Sequence, residues 1–247
     1  MERISVILLL TSLLIQGCNN KNKNSDSGLA NPSENQISVS GSRFVDSFGR
    51  QVIFSGINKV NKNPEMNYTD NDSTETYSRL SSYGFNCIRL GIIWDGVEPQ
   101  PGKYDEKYLD QLETRVKWAA ENGLYVMLDM HQDLYSVLFS DGAPQWATLT
   151  DNQPHSTGVI WSDSYFMSGA VQKAFDNFWA NTPVSDGIGV QDHYARMWQH
   201  VAKRFSKYKA VLGYDLMNEP FNGTQGNMIL PLILNEYAKL YAEETGK

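Results

Sequence analysis

The sequence predicts an α/β fold, a parallel sheet covered by helices, and three observations carry that prediction. Short apolar runs alternate with amphipathic helical patterns from about residue 51 to residue 217, the order that crossover helices impose on parallel strands. The runs themselves are nearly unbroken in apolar character, as strands buried on a sheet's helix-covered side must be. Neither a G-x-G-x-x-G motif nor a P-loop follows any of them, so dinucleotide and nucleotide sites are not indicated. An open doubly wound sheet and a closed barrel both satisfy this pattern.

The elements follow in order. Residues 37–57 hold two strand-like runs around Asp46-Ser47-Phe48-Gly49-Arg50, a hairpin signal. The second arm, Gln51 to Ile57, reads as the first core strand. A polar, Asn-rich loop leads to a short helix over Thr74 to Tyr83, stopped by Gly84. Phe85 to Trp94 is the second strand. The next helix takes Asp105 as its cap, carries Leu109, Leu112, Val116 and Ala119 on one stripe, and stops at Asn122-Gly123. Leu124 to Asp133 is the third strand. Helices are expected at about Ala170 to Asn181 and Val190 to Lys207, then a fourth strand over Ala210 to Met217 and a helix over Leu230 to Glu244.

Totals exclude several classes. The 247 residues are 41% hydrophobic, enough for one domain with a large core. The net charge is -7 and no basic stripe is present, so nucleic acid is not an expected partner. The two cysteines, Cys18 and Cys87, cannot build a disulfide framework. Arg3 precedes an apolar run from Ile4 to Ile15, too short to span a bilayer and read as a signal h-region. It ends in "LIQGC", which resembles a bacterial lipobox. Residues 1–18 are therefore expected to be a lipoprotein signal with Cys18 as the lipidated residue, and residues 19–36 a polar tether. That places residues 37–247 at the cell envelope outside the cytoplasm, held to a membrane by a lipid anchor, or secreted if Cys18 is not lipidated.

Side chains alternate across a strand, and here the alternation sorts charge from grease. In the second strand Ile88, Leu90 and Ile92 oppose Cys87, Arg89 and Gly91. In the third, Val126, Leu128 and Met130 oppose Met127, Asp129, His131 and Asp133. In the fourth, Leu212, Tyr214 and Leu216 oppose Gly213, Asp215, Met217 and Glu219. In a closed barrel the charged face is the lumen, so Arg89, Asp129, His131, Asp215 and Glu219 would converge. A buried guanidinium needs partners, and Asp129 and Asp215 are the expected struts. His131 and Glu219 sit at strand C-terminal ends, where barrel active sites are built. His131 and Asp133 lack a second histidine or cysteine at ligand spacing, so no metal is expected. His193 and His200 read as surface or core histidines.

Glycosidic cleavage needs one acid to protonate the departing oxygen and a second carboxylate at the anomeric carbon. Glu219 suits the first role: in a semi-enclosed aromatic pocket, desolvation would keep it protonated. Asn218 is placed to hydrogen-bond a sugar hydroxyl.

"LMNEPF", together with "IRLGIIWDGVEPQPGKYDEKYLDQLE", "VMLDMHQDLYS", "GAPQWAT" and "AFDNFW", resembles glycoside hydrolase family 5 and, within it, the endoglycoceramidases. The likeness runs from about Ile53 to Gly223. It implies a (β/α)8 TIM barrel, of which about the first four β/α units are present here behind a short β-hairpin. It implies hydrolysis, with retention, of the β-bond between oligosaccharide and ceramide in glycosphingolipids, with no cofactor. Position by position, Glu219 matches the acid/base, Asn218 its sugar-binding neighbour, Arg89 and His131 the substrate-binding arginine and histidine of strands two and three, and Asp133 a sugar-binding aspartate. Lys62 matches a sugar-binding lysine after the first strand, with Lys59 as a competing position. The nucleophilic glutamate that the family carries on strand seven has no counterpart, so the chain is expected to be the N-terminal part of a longer enzyme, inactive alone and with an exposed sheet edge. Two other readings are carried: another family 5 β-glycosidase acting on cellulose-like glycans or simple glucosides, and a surface lipoprotein that binds glycans without cleaving them. Leu138, Phe139, Trp146, Trp161, Tyr165 and Phe166, in the long segment after the third strand, either line a groove for acyl chains or pack that segment onto the barrel.

Overall fold

A computed structural model describes Pro32 and residues 36–224. The signal segment, Cys18, most of the tether and the helix over Leu230 to Glu244 lie outside the described residues.

The chain enters through a small antiparallel sheet of β1 (Ser38–Ser40), β2 (Arg43–Val45) and β3 (Gln51–Val52). The expected hairpin thus has a further turn at Gly41, whose φ of 60° suits glycine. The turn between β2 and β3 is organised by Asp46. Its Oδ1 accepts from the N–H groups of Phe48 (2.9 Å) and Arg50 (2.8 Å), and its Oδ2 from Arg50 Nε at 2.7 Å.

The reading of Gln51 to Ile57 as one core strand is corrected. Gln51 and Val52 pair with β2, and the core strand β4 begins only at Gly56 (Gly56–Lys59). Asn86 fixes the break between them: its Oδ1 accepts from Ser55 N at 2.8 Å and its Nδ2 donates to the Ile53 carbonyl at 2.8 Å. Gly56 then runs so close to its neighbour that a Cβ would lie 2.0 Å from the Cys87 carbonyl oxygen.

From there strand and helix alternate as the sequence predicts. The order is α1 (Thr74–Ser82), β5 (Cys87–Ile93), a single turn α2 (Trp94–Val97), α3 (Glu106–Glu121), β6 (Tyr125–His131), α4 (Ser164–Met167), α5 (Gly169–Trp179), α6 (Val190–Phe205) and β7 (Val211–Asp215). Asp105 caps α3 through the N–H groups of Lys107 and Tyr108. The main sheet has four strands, all parallel, in the sequential order β4-β5-β6-β7. Register sets Gly91 beside Asp129 and Ile93 beside His131. It also sets Asp129 beside Asp215, after a bulge at Val126/Met127.

Ile88, Leu90, Ile92, Val126, Leu128 and Met130 are buried under helix residues such as Leu109, Val116, Trp198 and Phe205. At about 25 cal/mol per Å² of apolar surface, that side drives folding of the layer. The opposite side carries the charges. Among the described residues the sheet is open rather than a closed ring.

Candidate active site

Arg89, on β5, is the hub of the charged face. Its Nη2 donates to Asp129 Oδ1 (2.8 Å), Asp215 Oδ2 (2.6 Å) and Asn218 Oδ1 (3.0 Å), and its Nε reaches Asp215 Oδ2 at 3.1 Å. One guanidinium thus ties β5, β6 and β7 to the turn beyond β7. Asp129 uses its second oxygen on His131 Nδ1, at 2.8 Å. That contact orients the imidazole and leaves Nε2 as the nitrogen available to a ligand. Burial pushes the Asp129 carboxyl up, while the hydrogen bond and charge of His131 and the charge of Arg89 oppose the shift.

The Asn218-Glu219-Pro220 turn is built by a residue that the motif does not contain. Gln132, directly after β6, donates through Nε2 to the carbonyls of Asn218 (2.7 Å) and Glu219 (3.0 Å). Asn218 returns the contact, with Nδ2 donating to the Gln132 carbonyl at 3.0 Å and its own N–H to the Met130 carbonyl at 3.0 Å. Glu219 is held at φ 43°, the left-handed region that few side-chain-bearing residues occupy. Leu134 and Tyr135 share that region, with φ of 58° and 76°. Their turn is fixed by Leu134 N–H donating to Tyr165 Oη (3.0 Å) and Tyr135 N–H to Gln132 Oε1 (2.5 Å).

Among the described residues Glu219 is exposed. One expectation about this turn is corrected. Met217 does not join Asp215 on the charged face. The alternation ends with β7 at Asp215, and Met217 turns into a small cavity lined also by Trp94, Met130, His131 and Tyr194.

The loop after β4 brings Lys62 to the same end of the sheet. Its ammonium pairs with Asp133 Oδ2 and lies 3.6 Å from Asp141 Oδ2. Burial alone would lower that ammonium, but the Asp133 hydrogen bond and the Asp141 charge lift it. Asp141 is itself fully buried, with its carboxyl pushed up by that burial. Backbone pairing with Asp133 holds it there. Lys59, the competing position, is occupied elsewhere, paired with Asp70 and with Asp72 at 3.0 Å.

The structure therefore gathers Arg89, Asp129, His131, Asp215 and Asn218 into one network, sets Glu219 on its rim, and places Lys62 with Asp133 beside it. Two other glutamates are committed to different work. Glu98 is buried, accepting from Trp94 Nε1 (2.9 Å), Gly102 N (2.7 Å) and His193 Nδ1 (3.0 Å). Glu113 lies among Arg204, Lys207 and Tyr208 in the helix layer. The long segment after β6 divides: Trp146 and Tyr165 pack inward, whereas Leu138, Trp161 and Phe166 are exposed.

The family model described as Cellulase (glycosyl hydrolase family 5) matches residues 45–247. An endoglycoceramidase of Cyanea nozakii is 38% identical over 210 residues, covering 73% of this chain and 41% of that protein. Endoglycoceramidase I of Rhodococcus hoagii (strain 103S) is 31% identical over 196 residues, covering 76% of this chain and 38% of that protein. Endo-glycoceramidase II from Rhodococcus sp., solved as a lactosyl-enzyme intermediate, superposes with a TM-score of 0.72 at 36% identity, covering 82% of this chain and 49% of that one. The chain thus spans about half, or less, of the length of the relatives it matches.

Proposed function

Since the chain belongs to glycosyl hydrolase family 5, and its parallel sheet is part of that family's TIM barrel, we propose that the protein cleaves the β-bond between oligosaccharide and ceramide in glycosphingolipids, with retention. The observation that carries this reading is the Gln132 staple, which holds Asn218 and Glu219 against the Arg89 network at the C-terminal end of the sheet.

Glu219 is the acid/base in this proposal. It gives its proton to the departing ceramide oxygen and later takes one from water. Asn218, with its carbonyl oxygen pinned by Arg89, presents its amide toward the sugar hydroxyl nearest the reacting carbon. His131 Nε2, Asp133 and Lys62 bind the remaining hydroxyls. Arg89 binds substrate beside them, while Asp129 and Asp215 keep these groups in register. The attacking carboxylate belongs to a part of the barrel outside the described residues.

A ceramide aglycone is favoured over a soluble glucan by the exposed apolar side chains of Trp161 and Phe166 next to this turn. A glucan-cleaving family 5 enzyme would turn over a soluble β-glucan in preference to lactosylceramide, and that comparison separates the two. The protein would act at the bacterial cell envelope, anchored through Cys18, or as a secreted enzyme without the lipid.

The test is Glu219→Gln in the full-length protein. Turnover of lactosylceramide should fall about 10²–10⁴-fold, the usual worth of general acid catalysis, and least for glycosides with good leaving groups. Unchanged turnover rejects Glu219 as the acid. A protein that binds glycans but hydrolyses none would be a surface binding lipoprotein instead.

A further inference from the structure

Between the site and α5, the loop after β6 makes an unusual exposure. Val159 is 100% exposed, Ile160 59%, Trp161 54%, Phe166 74% and Met167 60%. Scattered apolar side chains on a surface need no explanation, but a run of them within nine residues does.

The loop is built to hold that run outward. Gly158 approaches Asp163 so closely that a Cβ would lie 2.1 Å from the Asp163 Cβ. The Asp163 carboxylate, the only charged side chain between His155 and Lys173, is turned back on the loop. Its Oδ2 accepts from the N–H groups of Val159 (2.9 Å) and Ile160 (3.1 Å). The tip therefore shows hydrocarbon and an indole, with its one charge withdrawn and satisfied. Aromatic contacts run from it to the Glu219 turn: Trp161 meets Tyr165 at 6.2 Å, and both Tyr165 and Phe166 meet Phe221 at 5.3 Å. Gln132 joins the same path, its Nε2 donating to Tyr165 Oη at 3.3 Å.

We propose that this segment, Val159 to Met167, is a membrane-docking surface whose occupant is the phospholipid bilayer that carries the lipid-linked glycoside. The inference rests on the proposed substrate class and extends it to where the enzyme must stand. A glycoside whose aglycone is buried in acyl chains offers its scissile bond just above the headgroups, so the acid must be brought to that plane. An exposed apolar tip with an indole suits the boundary between headgroup and hydrocarbon, and the ring contacts of Tyr165 and Phe166 with Phe221 tie its position to that of the Glu219 turn. With no lysine or arginine in the segment, the attachment is apolar, and salt should leave it unchanged.

The experiment uses the full-length protein carrying Cys18→Ser, so that no acyl anchor supplies the binding. Phosphatidylcholine vesicles containing lactosylceramide are the probe, with a soluble aryl β-lactoside as the control substrate. The double variant V159D/I160D, and separately M167S, should lower both vesicle co-sedimentation and lactosylceramide hydrolysis about tenfold or more. Hydrolysis of the soluble lactoside should stay the same, and the binding should be equal at low and high salt. Vesicle binding and lactosylceramide turnover equal to those of the parent would overturn the proposal. So would loss of self-association in the variants with vesicle binding intact, which would make the patch a contact between copies. If the parent protein cleaves neither substrate, the enzymatic reading fails, while the co-sedimentation result still decides the docking surface.

Discussion

Gln132 and Glu219 are joined through the backbone: the Gln132 amide donates to the Glu219 carbonyl at 3.0 Å and to the Asn218 carbonyl at 2.7 Å, from the residue directly after β6. Two strand ends are thereby locked together at the point where the proposed acid sits. Gln132→Leu keeps approximate volume but strips two part-buried carbonyls of their donor and leaves one buried donor, the Tyr135 N–H, without its acceptor. The buried donor alone costs about 1–3 kcal/mol. The melting temperature should fall by several degrees. Displacing Glu219 by a fraction of an ångström should lower kcat about 10–100-fold, with KM changing less. A Gln132→Leu protein with parental kcat would show that the staple does not position the acid.

Arg89 and Asp129 make the second prediction. Asp129 is wholly buried, and its carboxylate is held from two sides, by the Arg89 guanidinium and by a hydrogen bond with His131 Nδ1. Arg89→Met leaves that carboxyl facing one imidazole in a dry site, which should cost about 3–5 kcal/mol of stability. Asp129→Asn removes the stranded charge. The double variant should therefore be less destabilised than the two single losses summed, with a coupling of about 0.5–3 kcal/mol by denaturant titration. Strict additivity would mean that the two do not form one unit.

Much of this was legible in the sequence because buried parallel strands are apolar runs and helices carry their own punctuation. Asp105 before α3 and Asn122-Gly123 after it are local signals, and the structure uses them. The convergence of Arg89, Asp129 and Asp215 followed from period-two alternation together with a buried guanidinium's need for partners. What escaped was tertiary. The break at Ile53 to Ser55 depends on Asn86, more than thirty positions away in the chain. A strand glycine such as Gly56 hints at close approach without saying to what. Gln132, read as part of the third strand, shows no partner in the sequence until the turn beyond β7 lies against it. Alternation assigns a face but says nothing about how many walls surround it.

Lys62 is bracketed by Asp133 and Asp141, and the two carboxylates have different jobs. Asp133 makes the direct pair, whereas Asp141 lies further off and contributes chiefly charge. If Lys62 binds a sugar hydroxyl away from the reacting carbon, its contribution is the same in ground and transition states. Lys62→Met should then raise KM about 10–100-fold, the worth of a charged hydrogen bond, and leave kcat within about threefold. Asp141→Asn should move KM in the same direction by less. A fall in kcat with KM unchanged would place Lys62 at the reacting centre instead.

Acid stability should turn on Glu113, far from the site. Burial on its own would raise this carboxyl, but hydrogen bonds from Tyr208, Lys207 and Arg204 outweigh it and hold the group down to about 2, against an ordinary value of 4.5. A carboxyl lowered in the folded protein binds fewer protons there than in the unfolded chain. Its stabilising effect is therefore complete above about pH 4.5 and is lost as pH falls toward 2. Glu113→Gln should reduce stability at neutral pH and flatten the decline across that acid window, leaving the parent and variant curves converging at its lower end. Parallel curves from pH 7 down to 2 would mean that the Arg204 cluster does not hold α3 to α6 through this charge.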